Sequence, residues 1–248
     1  MMTSEPVAYA VEGLEFEGRL IHSEAQAGAP LLLMAPNWLG ISQKAIALGE
    51  ELAAGGYVVF VVDMYGRDGR PTGRENPMEF LAPLLGDPAA ARARVRAGFE
   101  AMTRTCDQRR IGDPNFRAAI GFCFGGSNVL DLARSGADVA AVVSMHGNLQ
   151  TKRPARAGEV KAAIFVAHGA NDPIAPKADR DAFEAEMSAA GARWAMMTFG
   201  GVHHSFTDPS ANRPPVSQYS AFASDYAFHL AHKFIADAFA GKFKGDGP

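Results

Sequence analysis

Two positions in this 248-residue sequence, Cys123 and Asp172, together with one of the neighbouring histidines His203 and His204, have the residue types that acyl transfer requires. Cys123 sits in Ile120-Gly121-Phe122-Cys123-Phe124-Gly125-Gly126, after the apolar run Arg117-Ala118-Ala119-Ile120 and before Ser127-Asn128-Val129-Leu130-Asp131-Leu132-Ala133, which reads as a helix. A strand, a tight glycine turn and a helix make up the setting of a nucleophile elbow, with cysteine here in the usual serine slot. Such a turn forces the nucleophile into strained backbone, and glycines at 121 and 125 relieve crowding where a Cβ would clash. Gly126 lets the helix approach the sheet. The positive end of the following helix favours a thiolate, and the Phe124 N–H points to where an oxyanion would form.

The proton and the charge need partners. An imidazole takes the thiol proton, and a carboxylate on its other ring nitrogen fixes the tautomer and stabilises the cation. Asp172 lies in Asn171-Asp172-Pro173, where a turn or helix-cap role competes with the catalytic one. His203 and His204 compete for the base, and the nucleophile–acid–base order is met by either. His146 and His168 also end strands and read as packed, hydrogen-bonded residues. The second oxyanion donor comes from the loop after residues 31–35, from Asn37 or Trp38. Cys106 reads as inert, and Asp63 as a carboxylate that fixes its loop.

These side chains need a scaffold. Alternation over 7–12 and 14–21, with Glu12-Gly13 between, predicts an antiparallel hairpin at a sheet edge. A turn is expected over 25–30. Continuous apolar runs at 31–35, 57–62, 139–144 and 162–167 predict strands buried on both faces, and 193–199 is the last clear strand. Helices are expected at 42–54 with Ser42 as N-cap, at 89–105, at 179–190 and at 217–240. The 89–105 helix carries a solvated arginine face of Arg92, Arg96 and Arg104, continued by Arg109 and Arg110. Residues 67–88 read as a long irregular loop and 241–248 as a loose tail. Strands alternating with helices imply a mainly parallel central sheet with helices on both faces. With the order of the three chemical residues, this predicts an α/β-hydrolase fold in one domain spanning 1–248. Ligands in such sheets sit at the carboxyl ends of the strands.

A formal net charge of −3 argues against nucleic acid or anionic lipid as partners. Two cysteines make no disulfide framework, and a reducing compartment suits a catalytic thiol. No apolar run reaches membrane length, residues 1–11 have no signal-peptide character, and no Cys/His cluster has zinc spacing. The expectation is a cytoplasmic protein, a monomer or small homo-oligomer, with no metal and no cofactor, acting on a small molecule.

The chain resembles the dienelactone hydrolase family. Gly121-Phe122-Cys123-Phe124-Gly125-Gly126 is similar to its G-x-C-x-G-G elbow, His168-Gly169-Ala170-Asn171-Asp172-Pro173 to its acid loop, His204-Ser205-Phe206 to its H-S-F motif, and Val62-Asp63-Met64-Tyr65-Gly66 to its P-D-L-Y segment. The resemblance implies that Cys123, Asp172 and His204 are the triad. It also implies a carboxymethylenebutenolidase-like hydrolase of small carboxylic esters or lactones, working through an acyl-enzyme. A thioesterase or amidase on the same triad, or a non-catalytic thiol redox sensor, are the alternatives. Two departures bear on the substrate. Where members that hydrolyse dienelactone carry a Glu that controls the thiol, this sequence has Asn37. Where they carry an Arg after H-S-F that binds the substrate carboxylate, it has Thr207-Asp208. Arg67, Arg70 and Arg74 are candidate replacements for that arginine. Trp38, Tyr65, Phe122, Phe124 and Phe206 are the aromatic candidates near the pocket, with Trp38 and Phe206 taken as substrate-binding residues.

Overall fold

The computed structural model describes residues 1–23 and 28–243. The turn expected over 25–30 and the tail over 241–248 therefore lie partly outside the described residues. The fold is α/β, with an eight-stranded, mostly parallel sheet and six helices among the described residues. The chain divides into two compact units, Met1–Ala119 and Ile120–Pro248.

The first unit opens on a hairpin of β1 (Met2–Val11) and β2 (Leu14–Ser23), paired antiparallel. Its two loop residues, Glu12 and Gly13, have φ of 51° and 83°, the positive values a tight hairpin turn needs to match the strand twist. Then follow β3 (Pro30–Ala35), α1 (Gln43–Ala54), β4 (Val58–Val61), α2 (Pro77–Gly86) and α3 (Pro88–Arg109). Every residue of Leu31–Ala35 and Val58–Val61 is fully buried, which is why these strands read as unbroken apolar runs. The Ser42 hydroxyl caps α1 by accepting the Ala45 N–H. Gly49 of α1 approaches Val59 and Val61, whereas Gly98 of α3 approaches Val62. Neighbouring residues of an extended chain point to opposite faces, so the two helices cover the two faces of β4. The irregular loop expected over 67–88 needs correction. Asn76 caps a helix there by accepting the Met78 N–H, with Pro77 at its first position, and Pro83 lies inside it. α3 also outruns its expected end, stopping at Arg110 in a left-handed cap with φ 55°.

β5 (Asp113–Phe122) leads into the second unit, where α4 (Phe124–Arg134), β6 (Ala141–Met145), β7 (Ala163–Gly169), α5 (Lys177–Ala189), β8 (Arg193–Phe199), β9 (Asn212–Arg213), β10 (Ser217–Gln218) and α6 (Ala221–Phe239) follow. The strand order of the large sheet is β1-β2-β4-β3-β5-β6-β7-β8. β6–β7 and β7–β8 pair in parallel. The closing helix begins at Ala221 and not at 217, because Ser217 and Gln218 pair with Arg213 and Asn212 in a small antiparallel ribbon. No helix among the described residues is long and apolar enough to cross a membrane.

One charged side chain is integral to this unit. Arg134, 1% exposed, closes α4 and makes two hydrogen bonds to the Glu186 carboxylate of α5, at 2.9 and 2.8 Å. It also donates to the Leu149 carbonyl at 3.0 Å. Removing one partner of a buried pair leaves the other charge uncompensated. Arg134→Met should therefore cost about 3–5 kcal/mol in urea unfolding. An unchanged midpoint would show that the pair contributes nothing.

Candidate active site

β5 ends at Phe122, α4 begins at Phe124, and Cys123 between them has φ 55° and ψ −117°. A non-glycine residue held there costs on the order of 1–3 kcal/mol, so its surroundings must hold it. The Cys123 N–H donates to the Met145 carbonyl at 3.0 Å and to His146 Nδ1 at 3.2 Å. The turn has no spare room. A Cβ on Gly121 would lie 2.1 Å from the Gly125 carbonyl oxygen, and one on Gly126 would lie 2.8 Å from the Gly147 Cα. These glycines are therefore required by contact. Phe124 is the first residue of α4, so its N–H lies at the positive end of the helix.

The second unit by itself brings Cys123, His204 and Asp172 together. His204 Nε2 lies 3.0 Å from Cys123 Sγ, and His204 Nδ1 lies 2.8 Å from Asp172 Oδ2. Asp172 is 2% exposed and lies just beyond the end of β7. Its Oδ1 accepts the Ile174 N–H at 2.8 Å, so it holds its own turn while its other oxygen holds the imidazole. His204 follows β8, and its backbone is strapped on both sides. Its N–H donates to the Val216 carbonyl, and its carbonyl accepts the Gln218 N–H. The small ribbon thus anchors the loop that carries the imidazole. His203, next to it, is half-exposed.

Burial opposes a charge on His204. The hydrogen bonds to Asp172 and Cys123 outweigh it and raise the imidazole to about 10. His146 and His168 go the other way. Burial pushes the His146 imidazole well below its ordinary value, and the neighbouring His204 and His168 add to this. Burial also lowers His168, whose Nε2 bonds the Ala175 carbonyl at 2.9 Å. Both are packed, hydrogen-bonded residues, as expected. Cys106 is buried and its thiol is pushed up to about 12, mainly by desolvation. It is a thiol at neutral pH, whereas the half-buried Cys123 shares a contact with an imidazole.

Phe206 does not fit the pocket role expected of it. It is fully buried and packs against His146, with ring centroids 5.1 Å apart, and against Phe199 at 5.6 Å. It therefore supports the site from beneath. The other candidates belong to the first unit. The Asn37 side chain accepts the Leu39 N–H, and the Trp38 carbonyl accepts the Tyr65 hydroxyl at 2.7 Å. Asp63 accepts from the N–H groups of Glu17, Tyr65 and Gly66, the loop-fixing role expected of it. Arg70 completes that arrangement, 2.9 Å from Asp63 and bonded to the Glu17 carbonyl. Its guanidinium is committed there, which corrects its assignment to a substrate carboxylate. Arg67 lies 3.4 Å from Glu17 and 3.6 Å from Glu15. Arg74 is exposed. The residue whose connections sequence reasoning missed is His146. The signal was its place at the end of β6, but its partners lie 23 and 61 residues away.

The sequence model of the dienelactone hydrolase family matches residues 16–239. Among solved structures, the protein titled m3DLH is 30% identical with a TM-score of 0.86, the alignment covering 96% of this chain and 98% of that one. A dienelactone hydrolase-like promiscuous phosphotriesterase from metagenomic libraries is 29% identical with a TM-score of 0.86 and the same coverage. A dienelactone hydrolase described as putative, from Klebsiella pneumoniae, shares the fold at 17% identity and a TM-score of 0.78, covering 95% of this chain and 99% of that one. No curated protein sequence matches.

The raised His204 value gives a direct test. The stability that its proton contributes is whole below the unfolded-state value of about 6.5 and is lost as pH rises through the folded value of about 10. Nitrogen-15 NMR should show His204 as imidazolium at neutral pH, and Asp172→Asn should lower its titration midpoint. A wild-type midpoint at the ordinary histidine value would refute the network.

Proposed function

We propose that this chain, which belongs to the dienelactone hydrolase family, hydrolyses small carboxylic esters or lactones through a covalent thioester on Cys123. What carries the reading is the line from sulfur to imidazole to carboxylate, with steps of 3.0 and 2.8 Å. A thiol is mostly protonated at neutral pH, and the thiolate is the nucleophile. His204 takes that proton and the ion pair rests poised. The thiolate attacks the carbonyl carbon, the C=O π pair moves to oxygen, and a tetrahedral oxyanion forms. The Phe124 N–H stabilises it. The oxyanion collapses, the bond to the leaving oxygen breaks, and His204 returns the proton to that oxygen. Water then attacks the thioester with His204 taking its proton, the C–S bond breaks, the acid is released and the thiolate–imidazolium pair is restored. The Asp172 carboxylate, bonded to Nδ1, stabilises the imidazolium.

Asn37 cannot take the thiol proton, so His204 alone controls ionisation. Asp208, four residues after His204, disfavours an anionic acyl group. The substrate class is therefore esters or lactones with neutral acyl parts. A single domain over 1–248 goes with this reading, because the family match runs through both compact units. So does a reducing, cytoplasmic setting, which keeps the thiol available. Thioesters and amides are the alternative acyl substrates. Phosphotriester hydrolysis is a second reading, favoured by the phosphotriesterase at 29% identity.

Cys123→Ala should abolish p-nitrophenyl acetate hydrolysis with the circular dichroism spectrum intact. Activity persisting in pure protein would refute the nucleophile. In a substrate panel, neutral acyl esters should turn over faster than anionic ones. Turnover confined to phosphotriesters or to thioesters would replace the ester assignment. A thiol that alkylates rapidly while the protein turns over no substrate would favour a redox sensor.

A further inference from the structure

His146 has both ring nitrogens engaged, and neither engages the sulfur. Its Nδ1 lies 3.2 Å from the Cys123 amide nitrogen, and its Nε2 lies 2.7 Å from Thr207 Oγ1. The first contact settles the tautomer. A backbone N–H can only donate, so Nδ1 carries a bare lone pair and the neutral ring holds its proton on Nε2. That proton is donated to the Thr207 hydroxyl. The ring therefore connects the elbow that presents the nucleophile to the loop that presents the base, because Thr207 is three residues beyond His204.

Backbone geometry makes the connection consequential. Cys123 at φ 55° and His146 at φ 42° are both left-handed and neither is glycine. Conformations of that kind persist only where surrounding contacts over-determine them. The imidazole is braced edge-on by Phe206, with centroids 5.1 Å apart, and it meets the His204 ring edge-on at 5.2 Å. On the reading that Cys123 and His204 are nucleophile and base, we propose that His146 is a positioning residue: a neutral brace, held between the Cys123 amide and the Thr207 hydroxyl, that sets the separation of Sγ from the His204 imidazole. Burial supports the neutral state this requires. A protonated His146 would turn a second donor towards the Cys123 N–H and break the brace from within. Thr207 thereby has a definite task, at a place where the resemblance led one to look for substrate recognition.

Three variants of the full chain test this. His146→Leu removes both contacts and keeps apolar bulk. His146→Asn offers an amide oxygen to the Cys123 N–H but cannot reach Thr207. Thr207→Val removes only the second contact. His146→Leu should lower kcat on p-nitrophenyl acetate roughly 10- to 100-fold and leave KM within about twofold, the signature of misplaced reacting groups. His146→Asn should recover part of that loss. Thr207→Val should cost kcat roughly three- to tenfold and add little on top of His146→Leu, because the two act as one unit. Alkylation of Cys123 by iodoacetamide, followed against pH, should shift its midpoint upward in His146→Leu and in Thr207→Val. A natively folded His146→Leu with unchanged kcat and alkylation midpoint overturns the proposal. So does an Asn variant no better than Leu, or a Thr207→Val loss that simply multiplies with it. Should His146→Leu fail to fold, the isosteric Thr207→Val decides alone, and an unchanged kcat and midpoint in it overturns the proposal. A failed ester-hydrolase reading shows up separately, as wild-type protein without turnover, and the alkylation profile still reports on the brace.

Discussion

The position of Cys123 depends on a backbone that no side-chain-bearing residue adopts without cost. At φ 55° and ψ −117°, the chain reverses between β5 and α4 within one residue. The reversal is so tight that a Cβ at Gly121 would lie inside the carbonyl of Gly125. Much of the second unit follows from that constraint. Gly126 must be bare so that α4 can pass over Gly147, and Met145 and His146 must end β6 where they can receive the Cys123 N–H. The elbow is thus held by the neighbouring strand, and its strain is distributed over contacts that also pack the sheet.

The same region concentrates three buried imidazoles, and only one of them is equipped to hold a charge. Asp172 resolves the competition. Its Oδ2 lies 2.8 Å from His204. His168 uses its Nε2 on the Ala175 carbonyl, and His146 faces an N–H and a hydroxyl. Desolvation acts against all three. Where a carboxylate and a sulfur lie close by, it is overcome, and elsewhere it prevails. A single proton is thereby confined beside the sulfur, and burial, reinforced by that charge, keeps the neighbouring imidazoles neutral.

Local pattern made much of this legible. The burial of β3 and β4 is written in unbroken apolar runs, and the first hairpin in the Glu12-Gly13 turn. The line from Cys123 through an imidazole to Asp172 is legible in a glycine-framed turn and the order of strand ends, and the choice of His204 over His203 in the family resemblance. What escaped depends on pairing at a distance. Ser217 and Gln218 lie beside an amphipathic helix and read as its start, yet a ribbon to Asn212 and Arg213 claims them. Residues 77–86 look too rich in proline for a helix, but one proline occupies the first turn, where its missing N–H is no loss. Arg70 looks like an available cation until Asp63 is seen to hold it. Phe206 looks like a pocket aromatic, and no local signal reveals that its ring lies beneath His146.

Asp172 and His204 show why stability and chemistry are hard to separate in this protein. The Asp172 carboxylate holds the Ile174 amide with one oxygen and the imidazole with the other. Replacing it disturbs the turn that positions it as well as the charge it balances. His204 is anchored through its backbone by residues 216–218, which makes that ribbon part of the site although it contributes no side chain to it. A loss of turnover on mutating such residues therefore says little unless binding, chemistry and fold are read separately. Arg134 offers the contrast. It is buried at the far end of α4 from Cys123 and bound to Glu186 of α5. Its interactions secure the helix whose other end carries the elbow, so its contribution to function passes entirely through the fold.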